Sequence, residues 1–338
     1  LLAMLMTGAM VASLAACGGG STTGGDTQTD SNKGGDTASS GSGCSVDVIL
    51  KTTASEYWSY VKAGAEAYAK DNSDVKVEVK GATSETAYDE QQNMIETDLH
   101  AGKYDAMIIA PLQGDMATTL VNGAEMPIFA IDTDFNAPEK ISFIGIGQKD
   151  AAASGGEKAV EAAKAAGWDK VECIEIAGVQ GDATNTARMT GYKEGIEEAG
   201  GTFLEKETQY ADAVADKAVN SMEAIMQTHP EGVAIICANN DDMACAAAKA
   251  AKGNKAYEKT IFLGFDGSTS ACQAVLDGSL TLTCAQQPYD MGYKACETAV
   301  KAAKGESVDN VDTGTEIIEK DNAQARIDKM NEYLAKIK

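Results

Sequence analysis

Polar side chains follow the short apolar runs of this 338-residue chain with a regularity that suggests one shared site. Past 46–50 come Lys51, Ser55, Tyr57 and Trp58, and past 128–131 come Asp132 and Asp134. The run 171–176 leads into a loop from Gly178 to Asn185 and then to Arg188. Asn239, Asn240, Asp241 and Asp242 follow 233–237, Gly264-Phe265-Asp266-Gly267-Ser268 follows 261–263, and Gln286 follows 280–285. Carboxylates and carboxamides accept from and donate to neighbouring hydroxyls, and an Arg fork spans two oxygens. Aromatic faces cover the apolar face of a sugar ring. The inventory suits a polyol, and its few cations argue against a phosphorylated one.

Other chemistries find little material. Only His100 and His229 occur, both in polar helix-like stretches, so a Ser-His-Asp or Cys-His device or a His-based metal site is hard to assemble. Asp132-Thr133-Asp134-Phe135-Asn136 opens like a calcium loop but lacks the Gly and Glu such a loop needs. Gly145-Ile146-Gly147 lacks the third Gly of a dinucleotide fingerprint and reads better as a hinge. Asp241-Asp242 suits a helix N-terminus without a metal. A formal net charge of -23 repels phosphate backbones, which excludes nucleic acid as a partner. No cofactor is expected. One enzymatic reading stays open: Asp132 and Asp266 as the carboxylate pair of a carbohydrate hydrolase, which needs a separation of about 5 or about 6.5–9.5 Å.

The elements that must position these residues alternate strictly. Strand-like runs over 46–50, 75–79, 106–110, 128–131 and 141–146 are separated by helix-like segments, and from 150 the pattern repeats through strands at 171–176, 203–208, 233–237, 261–263 and 280–285. Short apolar strands alternating with helices mean parallel sheets covered on both faces. There are too many units for one sheet, and the natural cut lies between Gly145 and Lys149. The fold class is therefore α/β, with two doubly wound parallel-sheet lobes. Ligands of such sheets bind beyond the carboxyl ends of the strands. Cys173, Cys237 and Cys284 fall in strand-like runs and Cys245 and Cys296 on Ala-rich helix faces, a pattern of buried small hydrophobes; bridges Cys272–Cys284 or Cys237–Cys245 stay open.

The N-terminus carries an address. An apolar run over 1–16 closes on Leu14-Ala15-Ala16-Cys17, followed by Gly18-Gly19-Gly20-Ser21. This pattern predicts a lipoprotein signal peptide at 1–16, cleaved before a lipidated Cys17. Residues 17–43, rich in Gly, Ser, Thr and Asp, then form a flexible tether reaching about 25–30 Å. The expected location is extracytoplasmic, with the lipid on Cys17 holding the protein to a membrane.

The chain also resembles the periplasmic-binding-protein type I family, in particular the ribose, galactose and arabinose binders of ABC transporters. The resemblance runs from Val46 to about Ile318 and rests on seven motifs in order. They are Tyr57-Trp58 with Lys62-Ala63-Gly64, Asp105-Ala106 leading to Ala110-Pro111, and Ile131-Asp132; then Ala187-Arg188-Met189-Thr190-Gly191-Tyr192, Asn240-Asp241-Asp242-Met243-Ala244, Gly264-Phe265-Asp266-Gly267 and Ala285-Gln286-Gln287-Pro288. It implies a monomeric, non-enzymatic binder that closes on a monosaccharide and delivers it to permease subunits. A sensor docking on a membrane receptor or kinase is the alternative. It implies ligand contacts from Trp58 by stacking, Tyr57, Asp132, Arg188, Asn240, Asp266 and Gln286, with Lys51 beside them. Ribose binders carry an Asp-Arg pair where this chain has Asp132-Thr133, which leaves the sugar open. It further implies a three-strand hinge near 145–148, 286–288 and 312–315, an N-terminal lobe of 45–147 plus 287–313, and a C-terminal lobe of 148–286 plus 314–338.

Overall fold

The computed structural model describes residues 43–337; Cys17, the signal peptide and all but the last residue of the tether lie outside them. The chain runs β1 (Cys44–Thr52), α1 (Glu56–Asp71), β2 (Val75–Ala82), α2 (Tyr88–His100), β3 (Ala106–Ile109), α3 (Gly114–Leu120), β4 (Ile128–Ile131) and β5 (Lys140–Gly145). It continues α4 (Gln148–Ala165), β6 (Glu172–Ala177), α5 (Ala183–Glu198), β7 (Thr202–Phe203), β8 (Gln209–Tyr210), α6 (Ala215–Thr228), β9 (Ile235–Ala238), α7 (Asp241–Ala251), β10 (Ile261–Asp266), α8 (Thr269–Asp277) and β11 (Leu282–Ala285). The last elements are α9 (Pro288–Ala303), β12 (Val311–Asp312), β13 (Glu316–Ile318) and α10 (Ala323–Ile337).

Two sheets result. The first has the order β12-β5-β4-β3-β1-β2 and is parallel throughout; the second has the order β13-β11-β10-β9-β6-β7, with β8 also on β6. In each, the strand order reverses beside the opening strand, between β1 and β3 and between β6 and β9. Those reversals leave crevices at the strands' carboxyl ends. Strands such as β3 and β4 are apolar and buried at every position because helices cover both faces of each sheet.

Two expectations needed correction. Of the run expected as a strand over 203–208 only Phe203 pairs, as the end of β7; a 3-10 turn Glu205–Glu207 follows, and β8 begins beyond the run at Gln209. That exposed Glu-Lys-Glu stretch has no apolar face to bury. Nor is the second sheet wholly parallel, since β13 runs antiparallel to β11. Only three residues, including Gly314 at φ 78°, join β12 to β13, far fewer than a parallel crossover needs.

Glycines seat the cavity-facing helices. A Cβ on Gly64 of α1 would lie 1.9 Å from the Tyr289 carbonyl oxygen of α9, and one on Gly191 of α5 would lie 2.0 Å from the Lys149 carbonyl oxygen of α4. Each lobe therefore presses the helix that follows its opening strand, α1 after β1 and α5 after β6, backbone-to-backbone on a neighbour. The helices so fixed carry Tyr57 and Trp58 in one lobe and Arg188 in the other. The terminal helix touches both: Arg326 donates to the Gly267 and Gln286 carbonyls, while Tyr333 stacks on Tyr289 with centroids 4.1 Å apart. The seven described cysteines are free and serve as packing groups; Cys173 and Cys237 touch across β6 and β9.

Candidate functional site

The strand ends of the two sheets face one narrow cavity of about 30 Å3, partly open to solvent. Its wall includes Lys51, Tyr57, Trp58, Asp132, Arg188, Asn240 and Asp266, seven of the eight ligand residues read from the sequence. The eighth, Gln286, is fully buried behind the wall and donates to Asp266 Oδ1 at 2.9 Å. Asp134 points elsewhere, to an ion pair with Lys140.

Tyr57 and Trp58 open α1, whose N-terminus is capped by the Ser55 hydroxyl. Their rings meet edge to face at 5.0 Å. The Tyr57 hydroxyl donates to Asp132 Oδ1 at 2.6 Å, and Thr133 Oγ1 donates to the other oxygen at 2.8 Å. Burial, and then the Asp132 charge, push the Tyr57 hydroxyl well above the usual range, so it stays a donor. Trp58 Nε1 donates to Glu85 Oε1 at 3.1 Å. Asp132 follows β4 with φ at 62° and Asp266 closes β10 with φ at 122°, both positions that favour glycine. Strain of this kind, of order 1–3 kcal/mol, persists where the surroundings over-determine it.

The second lobe contributes a braced guanidinium. Arg188 Nε donates to Gln148 Oε1 at 2.9 Å, Nη1 donates to the Asn239 carbonyl at 2.7 Å, and Nη2 lies 3.7 Å from Asp266 Oδ1. The guanidinium also stacks 3.8 Å from the Phe265 ring centroid. Gln148 donates in turn to Gln286 Oε1 at 3.3 Å, closing a ring of side chains through Asp266. Burial raises the Asp266 carboxyl well above its usual range against the pull of Arg188. Asn240 caps α7, its Oδ1 accepting from Met243 N.

Side chains also join the lobes directly. Lys51 Nζ pairs with Asp182 Oδ2 at 2.5 Å, and Thr133 and Thr184 hydroxyls meet at 2.8 Å. Away from the cavity, the Glu56 carboxylate accepts from Thr269 N at 2.8 Å and Ser270 Oγ at 2.6 Å, capping α8 from α1. Beside it Tyr60 and Thr269 hydroxyls meet at 2.6 Å.

Sequence reasoning missed Glu85, Asp182 and Thr184 as cavity residues and gave no role to Gln148. Glu85 follows β2, so the strand-end rule that located the others also reaches it. Asp182 caps the N-terminus of α5, its Oδ1 accepting from Asn185 N, and an Asp just ahead of a helix-like run is the signal that could have found it. Gln148 carried no signal beyond its place at the hinge. Among the described residues no three His, Cys, Asp or Glu side chains converge as a metal site requires, and no helix is long and apolar enough to cross a membrane.

Residues 46–307 match a family model described as periplasmic binding protein domain. The ribose import binding protein of Escherichia coli K12 is 32% identical over 209 residues, covering 60% of this chain and 67% of that protein. The D-allose-binding periplasmic protein of the same organism is 29% identical over 280 residues, 80% of this chain and 88% of that one. Among solved structures, an Agrobacterium radiobacter carbohydrate transporter solute-binding protein in complex with D-arabinose superposes with a TM-score of 0.77 at 27% identity. That match covers 85% of this chain and 98% of the other.

Proposed function

Because the chain belongs to the periplasmic binding protein domain family, we propose that it is an extracytoplasmic solute-binding protein of an ABC importer, holding a monosaccharide between its lobes and delivering it to the permease. One observation carries this reading: a single cavity draws aromatic rings and a carboxylate from one sheet and a guanidinium, carboxamides and a carboxylate from the other. A ligand touching both walls favours the closed form by its contacts with the second wall. Similar proteins point the same way, two being named for ribose and D-allose and one being in complex with D-arabinose.

In this reading Asp132, Asp266, Asn240 and Arg188 bond ring hydroxyls, Trp58 and Tyr57 cover the ring, Lys51 reaches the same cavity, and Gln286 aims Asp266. The N-terminal lobe is 45–147 plus 287–313 and the C-terminal lobe is 148–286 plus 314–338. Closure bends the three segments where the chain passes between sheets, after β5, after β11 and after β12. Cys17 carries the lipid that tethers the monomer to the membrane. Thermal melts against pentoses, hexoses and inositols test the binding role. A ligand at about 100 times its Kd stabilises by about 2.7 kcal/mol, a rise of several degrees in Tm. Failure of every sugar to raise Tm contradicts the proposal. Mass spectrometry of the membrane-extracted protein tests the anchor, since Cys17→Ser must lose the acyl mass.

A further inference from the structure

The cavity is unbalanced in charge. It presents five carboxylates, Glu85, Asp132, Asp182, Asp242 and Asp266, against two cations, Lys51 and Arg188. Lys51 is taken by Asp182, and Arg188 faces Asp266. Asp242 stands in the first turn of α7, where the helix dipole favours it. Glu85 and Asp132 remain, both on the first-lobe side. Among the described residues neither has a Lys, Arg or His nitrogen within 4.0 Å, and each accepts only from neutral donors, Trp58 for Glu85 and Tyr57 and Thr133 for Asp132.

A group in the facing, second-lobe wall also lacks a partner. Asn239 is 7% exposed, lines the cavity, and its buried Oδ1 has no hydrogen-bond donor. These three groups are acceptors, and two of them are carboxylates with no cation in contact. Removing a carboxylate from water without a cation is costly, and a ligand ammonium in charge-assisted contact offsets that cost where a hydroxyl does so only in part.

Resting on the sugar-binding reading above, we propose that the preferred ligand is an aminated sugar, its ammonium received by Glu85 and Asp132 and its hydroxyls read by the rest of the wall. Burial pushes the Glu85 carboxyl up against Lys51 and Trp58, so a further cation beside it draws it back toward the ionised form.

Isothermal titration with matched probes tests this. D-glucose, D-galactose and D-allose are compared with 2-amino-2-deoxy-, 3-amino-3-deoxy- and 6-amino-6-deoxy-hexoses and with the N-acetylated forms, which keep the nitrogen but lose its charge. The expected result is at least one amino sugar bound roughly tenfold or more tighter than its hydroxyl parent at pH 6, an advantage lost on acetylation. The advantage also shrinks as pH rises through the amine's own pKa, a readout that needs no variant. In Glu85→Gln the ratio of the two dissociation constants falls toward one. Neutral parents that bind as tightly as every aminated form overturn the proposal while leaving sugar binding intact. Silence from all sugars, aminated or not, overturns both.

Discussion

The two walls of the cavity are built differently. In the first lobe the Asp132 and Glu85 carboxylates are held by side chains of the same lobe, Tyr57 and Thr133 on one and Trp58 alone on the other. In the second lobe Arg188 and Asp266 belong to a closed ring with Gln148 and Gln286, stacked on Phe265. Behind that ring Arg326 clamps the Gln286 and Gly267 carbonyls. Fully satisfied buried networks are rigid, and partial removal leaves charges unpaired. The second wall is thus the fixed frame. Residues of the first wall can change what is bound at smaller cost to folding.

Breaking the frame has the largest expected effect. Arg188→Ala leaves Asp266 buried without its cation, so binding falls by more than about 100-fold and stability by about 3–5 kcal/mol. Calorimetric titration and denaturant melts read both losses. If the same substitution only weakened binding and left stability untouched, the two walls would be alike.

Beneath the braced wall lies an unbraced group. Glu175 of β6 is fully buried with neither carboxyl oxygen hydrogen-bonded, and burial pushes its carboxyl up to about 8. Its counterpart in the other lobe, Asp47 of β1, is raised to about 7 by burial but has Lys80 Nζ at 3.0 Å. Between pH about 4.5 and about 8 the folded protein keeps a proton on Glu175 that the unfolded chain releases, so this group makes stability fall as pH rises through that window. Glu175→Gln should remove that slope and gain about 1–3 kcal/mol at pH 8. Melts that stay parallel with pH in the two proteins would refute the assignment.

Tyr57→Phe tests the first wall. It removes the donor to Asp132 while keeping the ring, so affinity should fall about tenfold with a loss of stability near 1 kcal/mol. A stability loss matching that of Arg188→Ala would erase the contrast. Smaller still is Glu56→Gln, which weakens the cap on α8 from across the lobes. Sugar affinity should drop a few-fold through the closed form alone, with an unchanged preference among sugars. A change in that preference would place Glu56 in the binding wall instead.

The alternation of apolar runs and helices made the two sheets legible, because parallel strands buried on both faces carry their signal locally. The same runs located the cavity: Asp132, Arg188, Asn240 and Asp266 follow strands and meet there. What stayed hidden depends on contacts far apart in sequence. Nothing near Gln148 announces that it reaches Arg188, 40 positions on, or that Arg326 returns to a crossover at Gln286. The positive φ at Asp132 and Asp266 is likewise invisible, since neither residue is glycine. The antiparallel β13 turned on the length of a connection, not on its own three residues.

The central claim is that one monosaccharide binds between the walls and needs both. Titration calorimetry of the protein with its best-responding sugar, alongside Tyr57→Phe and Arg188→Ala, tests it most directly. The account predicts one site per chain, weakened about tenfold by the first substitution and effectively abolished by the second. Full affinity retained in Arg188→Ala, with that variant folded by its melt, would contradict it.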